Sequence, residues 1–152
     1  MGKVIIMQGI PGSGKSTFIK KNYPEADIVS ADNFFMSDGE YRFDPKLLPE
    51  AHAACLRNFI RWCSDFRYLK TSRIMIVDNT NTSIAEVAPY MGVAQAFGHD
   101  AEVIFLDVDP YVGAKRNIHN VPADKVHTMW CKIIQSQAQF PPWWKFTKFS
   151  ER

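Results

Sequence analysis

The feature that most constrains the fold is a glycine-rich segment between a short apolar run and a helical pattern. It fits GxxxxGK[ST], in which the glycines let successive backbone N–H groups turn inward toward phosphate oxygens. The helix that follows adds the partial positive charge of its N-terminus. The segment therefore predicts a phosphate-binding loop, here called the P-loop, whose nucleotide-binding residues are Gly9, Pro11, Gly12, Ser13, Gly14, Lys15, Ser16 and Thr17.

Two side chains of the P-loop and one beyond it have predicted roles at the phosphates. Lys15 is expected to bridge the β- and γ-phosphates, and the Ser16 hydroxyl to ligate Mg²⁺. Asp78 ends the apolar run 74–77 in the manner of a Walker B strand, which predicts a second magnesium ligand. The alternative for Asp78 is a turn residue that closes the segment 79–81.

Four short apolar runs predict buried strands, at residues 4–7, 27–29, 74–77 and 103–106. Helical patterns alternate with them, which predicts an α/β fold with a parallel sheet. The predicted helices run from the P-loop to residue 22, over 47–69, from a capping box at Ser83, over 111–119 and over 123–139. Pro89 indicates either a kink or a misplaced start of the third helix.

Length and composition predict a single domain over residues 1–152. The 152 residues are 46% hydrophobic and 22% charged, which excludes wholesale disorder. A net charge of +2 is too small for a non-specific nucleic-acid binder. The tail 140–152 is expected to pack on the core, with base stacking by its aromatic and basic residues as the alternative.

The same features indicate where the protein works. The three cysteines form no CxxC pair, which favours reduced thiols, and the four histidines have no metal-ligand spacing. No apolar run approaches the roughly 20 residues of a membrane span, and the N-terminus does not read as a signal peptide. We therefore expect a cytoplasmic protein with no membrane and no stable protein partner.

Asp32 follows the weak second strand and distinguishes a kinase from other P-loop proteins. The carboxyl ends of parallel strands share one crevice, so Asp32 should face the phosphate site. A carboxylate there accepts a proton from an attacking hydroxyl and orients it toward the γ-phosphorus. The alternative is that Asp32 caps a helix over residues 33–37.

The ordered motifs GIPGSGKST, SADNFF, DGEYRFDP, EAHAAC, IVDNTNT and KRNIHNVP resemble the P-loop kinases related to phage-type polynucleotide 5′-kinase. The resemblance implies a kinase-type P-loop NTPase: a three-layer sandwich with a parallel sheet of about four or five strands and a helical lid. It implies ATP as phosphate donor, Mg²⁺, and a nucleic-acid hydroxyl as acceptor. Carried onto this chain, Asp32 looks like the general base, and Lys15 and Ser16 hold the phosphates and the metal. Arg116 looks like the lid arginine, with a solvated helix cation as its alternative.

One departure from that family concerns the acceptor. The 5′-kinases carry an arginine three residues after the catalytic aspartate, whereas this chain has Phe35, which cannot grip a phosphate. Either Arg42 replaces it, or the acceptor is not a 5′-hydroxyl beside a phosphate. The chain is also similar to small phage kinases that phosphorylate 5-hydroxymethyluracil within DNA. An extruded base requires an aromatic pocket, which Phe34, Phe35, Tyr41 and Phe43 would supply unless they pack in the core.

The leading hypothesis is therefore a kinase for 5-hydroxymethyluracil in DNA, in the cytoplasm of a bacterial host if the chain is phage-encoded. Phe34, Phe35, Tyr41 and Arg42 are its candidate substrate residues. The alternatives are a 5′-hydroxyl polynucleotide kinase, a small-metabolite or nucleoside kinase, and an ATP-binding module that transfers no phosphate. The last would keep Lys15 but have no use for Asp32.

Overall fold

The computed structural model describes residues 2–64 and 74–150, and these form an α/β fold. Its strands are β1 (Lys3–Gln8), β2 (Asp27–Val29), β3 (Met36–Ser37), β4 (Glu40–Tyr41), β5 (Ile74–Asp78), β6 (Asp100–Asp107) and β7 (Lys145–Ser150). Five of them make a parallel sheet in the order β2-β5-β1-β6-β7, and β3 and β4 form a separate antiparallel hairpin. The four predicted strands are confirmed, with β6 extended at its start.

The helices of the described residues follow the sequence pattern, except that the helix predicted over 111–119 ends at residue 116, because Asn117 adopts an extended backbone. They are α1 (Lys15–Asn22), α2 (Leu48–Ser64), α3 (Ile84–Ala96), α4 (Pro110–Arg116) and α5 (Ala123–Gln137), with 3₁₀ turns at Ala31–Phe35 and Pro45–Leu47. The end of the helix predicted over 47–69 lies outside the described residues. Ser83 caps α3 in a reciprocal capping box with Glu86, so the predicted start is confirmed, and α3 continues through Pro89.

Helices cover both faces of the sheet. The central strand β1 is therefore buried on both of its sides. Val4 and Ile6 share a buried cluster with residues of α2 and α3, whereas Ile5 and Met7 pack with Ile19 of α1. Successive strand residues point to opposite faces, so this division follows from the uninterrupted apolar run itself. The result is a three-layer sandwich, as expected.

The tail forms an edge strand, which the sequence did not predict. β7 runs parallel to β6, in register from Glu102 opposite Lys145 to Asp107 opposite Ser150. Lys145 pairs with Asp100 at 2.6 Å, and the ring of Phe149 lies 5.3 Å from that of Phe18 in α1.

The carboxyl ends of the central strands meet at one edge of the sheet, where β1 leads into the P-loop and β5 ends at Asp78. Met7 lies opposite Asp78 in the β1–β5 register. Within residues 2–64 and 74–150, no helix is both long and apolar enough to cross a lipid bilayer.

Candidate phosphotransfer site

The P-loop backbone adopts the conformation that its glycines permit. Gly12 has φ +78° and Gly14 has φ +91°, both in the left-handed region that side chains disfavour. The Ser13 side-chain oxygen is buried, and among the described residues it has no hydrogen-bond partner. A buried hydroxyl without a partner is costly, and a phosphate oxygen is a suitable acceptor for it. The loop thus fits the phosphates of a nucleotide.

Lys15 begins α1 and reaches back across the loop. Its Nζ donates to the carbonyl oxygen of Gly9 at 2.8 Å and to that of Ile10 at 3.2 Å. Burial lowers the pKa of Lys15, and the opposite charges of Asp78 and Asp32 act to raise it. The ammonium group and the two carboxylates therefore belong to one electrostatic site.

Asp78 is half-buried at the end of β5, beside the P-loop. Burial raises the pKa of Asp78, the ammonium group of Lys15 lowers it, and the like charge of Asp32 raises it. Ser16 is exposed in the first turn of α1 and offers a hydroxyl oxygen. Mg²⁺ takes one or two carboxylates together with substrate phosphates and waters, so this donor set fits it.

Asp32 lies inside the 3₁₀ turn that follows β2, and it does not cap a helix. The cap is Ser30, whose hydroxyl oxygen accepts a hydrogen bond from the Asp32 N–H at 3.2 Å. The preceding N–H, that of Ala31, donates to the side-chain oxygen of Asn79 at 2.8 Å in a buried contact. Asn79 thus fixes the turn that carries Asp32 to the end of β5.

Sequence reasoning missed the part played by Asn79. It follows Asp78 in the run Asp-Asn-Thr-Asn, in which the residue pattern indicates a role for Asp78 alone and a turn over residues 79–81. A buried amide that bonds to a neighbouring strand end is not distinguishable from a turn residue by sequence pattern alone.

The β3–β4 hairpin brings aromatic rings to Asp32. The Tyr41 hydroxyl donates to Asp32 Oδ1 at 3.2 Å, and Phe34 and Phe43 are exposed. Phe35 is 4% exposed and belongs to the core, which corrects its expected place in an acceptor pocket. The ring of Phe35 packs against those of Phe34, Tyr41 and Phe43, so it anchors the hairpin instead.

Arg42 is engaged within the hairpin region rather than with Asp32. Its guanidinium donates to a carboxylate oxygen of Glu40, with Nη2 at 3.0 Å and Nε at 3.3 Å. Both side chains are exposed, so this pair is weak and readily exchanged for another anion.

The helix α4 packs directly on the P-loop through a glycine on each side. A Cβ on Gly12 would collide with the carbonyl oxygen of Gly113, and one on Gly113 would lie 2.5 Å from Ile10 Cδ1. The Cβ of a residue at position 12 would also lie 3.0 Å from the Asn117 nitrogen. Arg116 is the last residue of α4, and the backbone of the next residue, Asn117, lies near the P-loop.

A buried polar network supports the strand that enters the P-loop. The Gln8 side-chain nitrogen donates to the Asn81 carbonyl and to the Ser136 hydroxyl, each at 2.9 Å. Gln137 donates to the Gln8 side-chain oxygen at 3.1 Å. The last residue of β1 is therefore held from the β5 side and from α5.

Comparison with protein families places most of the chain in one family. A model described as an AAA domain matches residues 4–129. NEDD4-binding protein 2 of Homo sapiens is 35% identical over 135 residues, which cover 83% of this chain and 7% of the human protein. The chain thus spans only a small part of that relative's length.

Two solved structures illustrate which proteins share this fold. The Pnkp1/Rnl/Hen1 RNA repair complex matches with a TM-score of 0.70 at 18% identity, over 92% of this chain and 46% of that chain. A gluconokinase from Sinorhizobium meliloti 1021 matches with a TM-score of 0.58 at 17% identity, over 98% and 82%. At these identities the likeness establishes the fold alone.

Proposed function

Because the chain belongs to the AAA domain family and has a P-loop kinase fold, we propose that it transfers the γ-phosphate of ATP to a hydroxyl group of a nucleic acid. The observation that carries this proposal is the position of Asp32: Asn79 holds its turn against the end of β5, and its charge acts on both Lys15 and Asp78. A module that only binds ATP has no need of a carboxylate that can act as a base in this position.

In the proposed reaction the P-loop N–H groups and Lys15 would hold the triphosphate, and Ser16 and Asp78 would hold Mg²⁺. The metal, when bound, neutralises charge on the phosphate oxygens. Asp32 takes the proton of the acceptor hydroxyl while the acceptor oxygen bonds to the γ-phosphorus. The bond from that phosphorus to the β-phosphate oxygen breaks, so the products are a phosphate ester and ADP. Arg116 neutralises charge on the transferring group.

The proposed acceptor remains the hydroxymethyl group of 5-hydroxymethyluracil in DNA. Exposed rings at Phe34, Tyr41 and Phe43 near Asp32 support the binding of a flat base, although Phe35 no longer contributes. A 5′-hydroxyl end is the second candidate, which the structural likeness to the RNA repair complex favours. For that acceptor, Arg42 would exchange Glu40 for the nucleic-acid phosphate.

The test is transfer of labelled phosphate from ATP with the product located chemically. Acceptors are 5′-phosphorylated DNA that contains 5-hydroxymethyluracil, the same DNA without that base, and DNA or RNA with a 5′-hydroxyl end. The products are digested to nucleosides and identified by mass spectrometry. We expect label on the modified base, and label on termini alone would select the 5′-kinase.

Two other results would contradict a nucleic-acid acceptor. Transfer to gluconate or free nucleosides but to none of the polymers would identify a small-molecule kinase. Gluconate is included because the chain shares its fold with a gluconokinase. ATP binding without transfer to any acceptor would identify a module that only binds the nucleotide.

A further inference from the structure

Tyr41 forms a direct hydrogen bond to the proposed general base. Its hydroxyl donates to Asp32 Oδ1 at 3.2 Å. Partial burial, the charge of Asp32 and the hydrogen bond to Asp32 together raise the pKa of Tyr41 to about 12. The phenol therefore keeps its proton at neutral pH and remains a donor.

The ring of Tyr41 is held from the hairpin side. It stacks on Phe43 at 6.3 Å and makes an edge contact with Phe35 at 6.2 Å. Phe35 is buried in the core beside α2 residues, so the hairpin is attached to the main core. These contacts position the hydroxyl as well as the ring.

The same ring is held from the lid side by His119. The two ring centroids are 4.8 Å apart. His119 belongs to the lid segment, residues 117–122, which follows α4. Asn117 organises that segment, because its side chain accepts from the Val121 N–H at 2.9 Å and donates to the Val121 carbonyl at 3.2 Å. Tyr41 is thus the point where the hairpin and the lid segment meet at Asp32.

We infer that Tyr41 is a positioning residue that fixes the carboxylate of Asp32 for the acceptor hydroxyl, and that His119 acts through Tyr41. This inference rests on the proposed kinase function. A hydrogen bond to Oδ1 restricts rotation of the carboxylate and leaves the second oxygen to take the proton of the acceptor. Tyr41 keeps its own proton throughout the transfer. The lid segment follows α4, and α4 packs on the P-loop. The contact between His119 and Tyr41 therefore connects Asp32 to the part of the site that would bind ATP.

The kinetic test separates the hydroxyl of Tyr41 from its ring. We expect Tyr41→Phe to lower kcat by about tenfold while the KM for ATP stays within about twofold, because only base orientation is lost. His119→Ala should lower kcat by about threefold in the parent but have little effect in Tyr41→Phe, since both changes act through one hydroxyl. Tyr111→Phe, at an exposed tyrosine of α4, is the matched control.

Two kinetic outcomes would overturn the inference. One is a kcat for Tyr41→Phe within about twofold of the parent, and the other is the same factor for His119→Ala in both backgrounds. Thermal unfolding of each variant identifies a loss of activity that comes from loss of structure.

A second measurement needs no activity and so distinguishes failure of this inference from failure of the proposed function. The ring ¹³C resonances of Tyr41, assigned by comparison with Tyr41→Phe, report its ionisation. At about pH 11 we expect more ionised Tyr41 in Asp32→Asn than in the parent, because the carboxylate charge that opposes ionisation is removed. Equal ionisation in the two proteins would show that Tyr41 does not contact Asp32. Absence of transfer in a protein that passes this test would contradict the proposed function alone.

Discussion

At Lys15, burial and neighbouring charges act in opposite directions on one ammonium group. Burial is the larger effect, so the pKa of Lys15 is lowered from the ordinary value of 10.5. Such a group is suited to binding a polyanion, because the negative charge of triphosphate oxygens favours the charged form of the lysine.

This leads to a pH dependence of ATP binding. We expect affinity to fall on the alkaline side at a lower pH than an ordinary lysine would give, because the neutral amine no longer attracts phosphate. The dissociation constant, measured by calorimetry across the alkaline range, checks this. In Lys15→Met the affinity for ATP should be weaker across the pH range and should not show this alkaline fall. An alkaline fall that persists in this variant would assign the titration to another group.

Asp32 offers a second prediction at the scale of one residue. Replacing Asp32 by Ala should leave the dissociation constant of ATP nearly unchanged and lower the transfer rate by at least about 10²-fold, the usual contribution of a general base. Calorimetry and a single-turnover assay measure the two quantities. Asp124→Ala, at an exposed carboxylate of α5, is the control, and full activity in Asp32→Ala would remove the proposed base.

Residue types and chain order were enough to predict that Asp32 and Lys15 lie together. Both follow strands of one parallel sheet, and such strands end at the same edge. The Tyr41 contact was not predictable, because it depends on a hairpin whose strands contain two residues each. Phe35 was wrongly placed among the candidate substrate residues, because the sequence does not distinguish an exposed aromatic side chain from a buried one.

At the scale of the elements, the crossing of α4 over the P-loop depends on the absence of side chains. Gly12 and Gly113 face one another there, and each would bring a Cβ into backbone atoms of the other segment. Glycine in a helix is otherwise unfavourable by about 0.5–1 kcal/mol relative to alanine, so its presence in α4 indicates a steric requirement.

Two glycine-to-alanine substitutions test that requirement. At Gly113 the new Cβ would lie 2.9 Å from the Pro11 carbonyl oxygen, so we expect a loss of about 1–3 kcal/mol in the free energy of unfolding and weaker ATP binding. At Gly92 of α3 nothing lies within 4 Å, so alanine should stabilise by about 0.5–1 kcal/mol. Denaturant titration measures both, and a neutral Gly113→Ala would show that α4 can shift without cost.

The elements also show what sequence pattern does not report. β1, β5 and β6 were predicted because buried parallel strands are continuous apolar runs. β7 mixes lysines with aromatics and follows two prolines, and it pairs with a strand some forty residues earlier. Its formation depends on the exposed edge of β6, which is a property of the assembled sheet.

At the scale of the whole molecule, the tail completes the sheet. Phe140 and Trp144 pack on the main core, and β7 extends the sheet beyond β6. Removing residues 140–152 should therefore lower the denaturant midpoint substantially, since it exposes apolar surface as well as the edge of β6. Lys145→Ala is the control, because it removes only an exposed ion pair and should cost less than about 1 kcal/mol. Equal midpoints for the parent and the shortened chain would mean that β7 contributes nothing to stability.

The β3–β4 hairpin is a sheet of its own, separate from the five strands that carry the P-loop and Asp78. Substitutions in the hairpin at positions other than Tyr41 are therefore expected to leave ATP binding unchanged, whereas substitutions in β1 or β5 are not. Exchange of hairpin residues around Tyr41 is accordingly the change that we expect to alter the acceptor preference while the P-loop and Asp78 stay as they are.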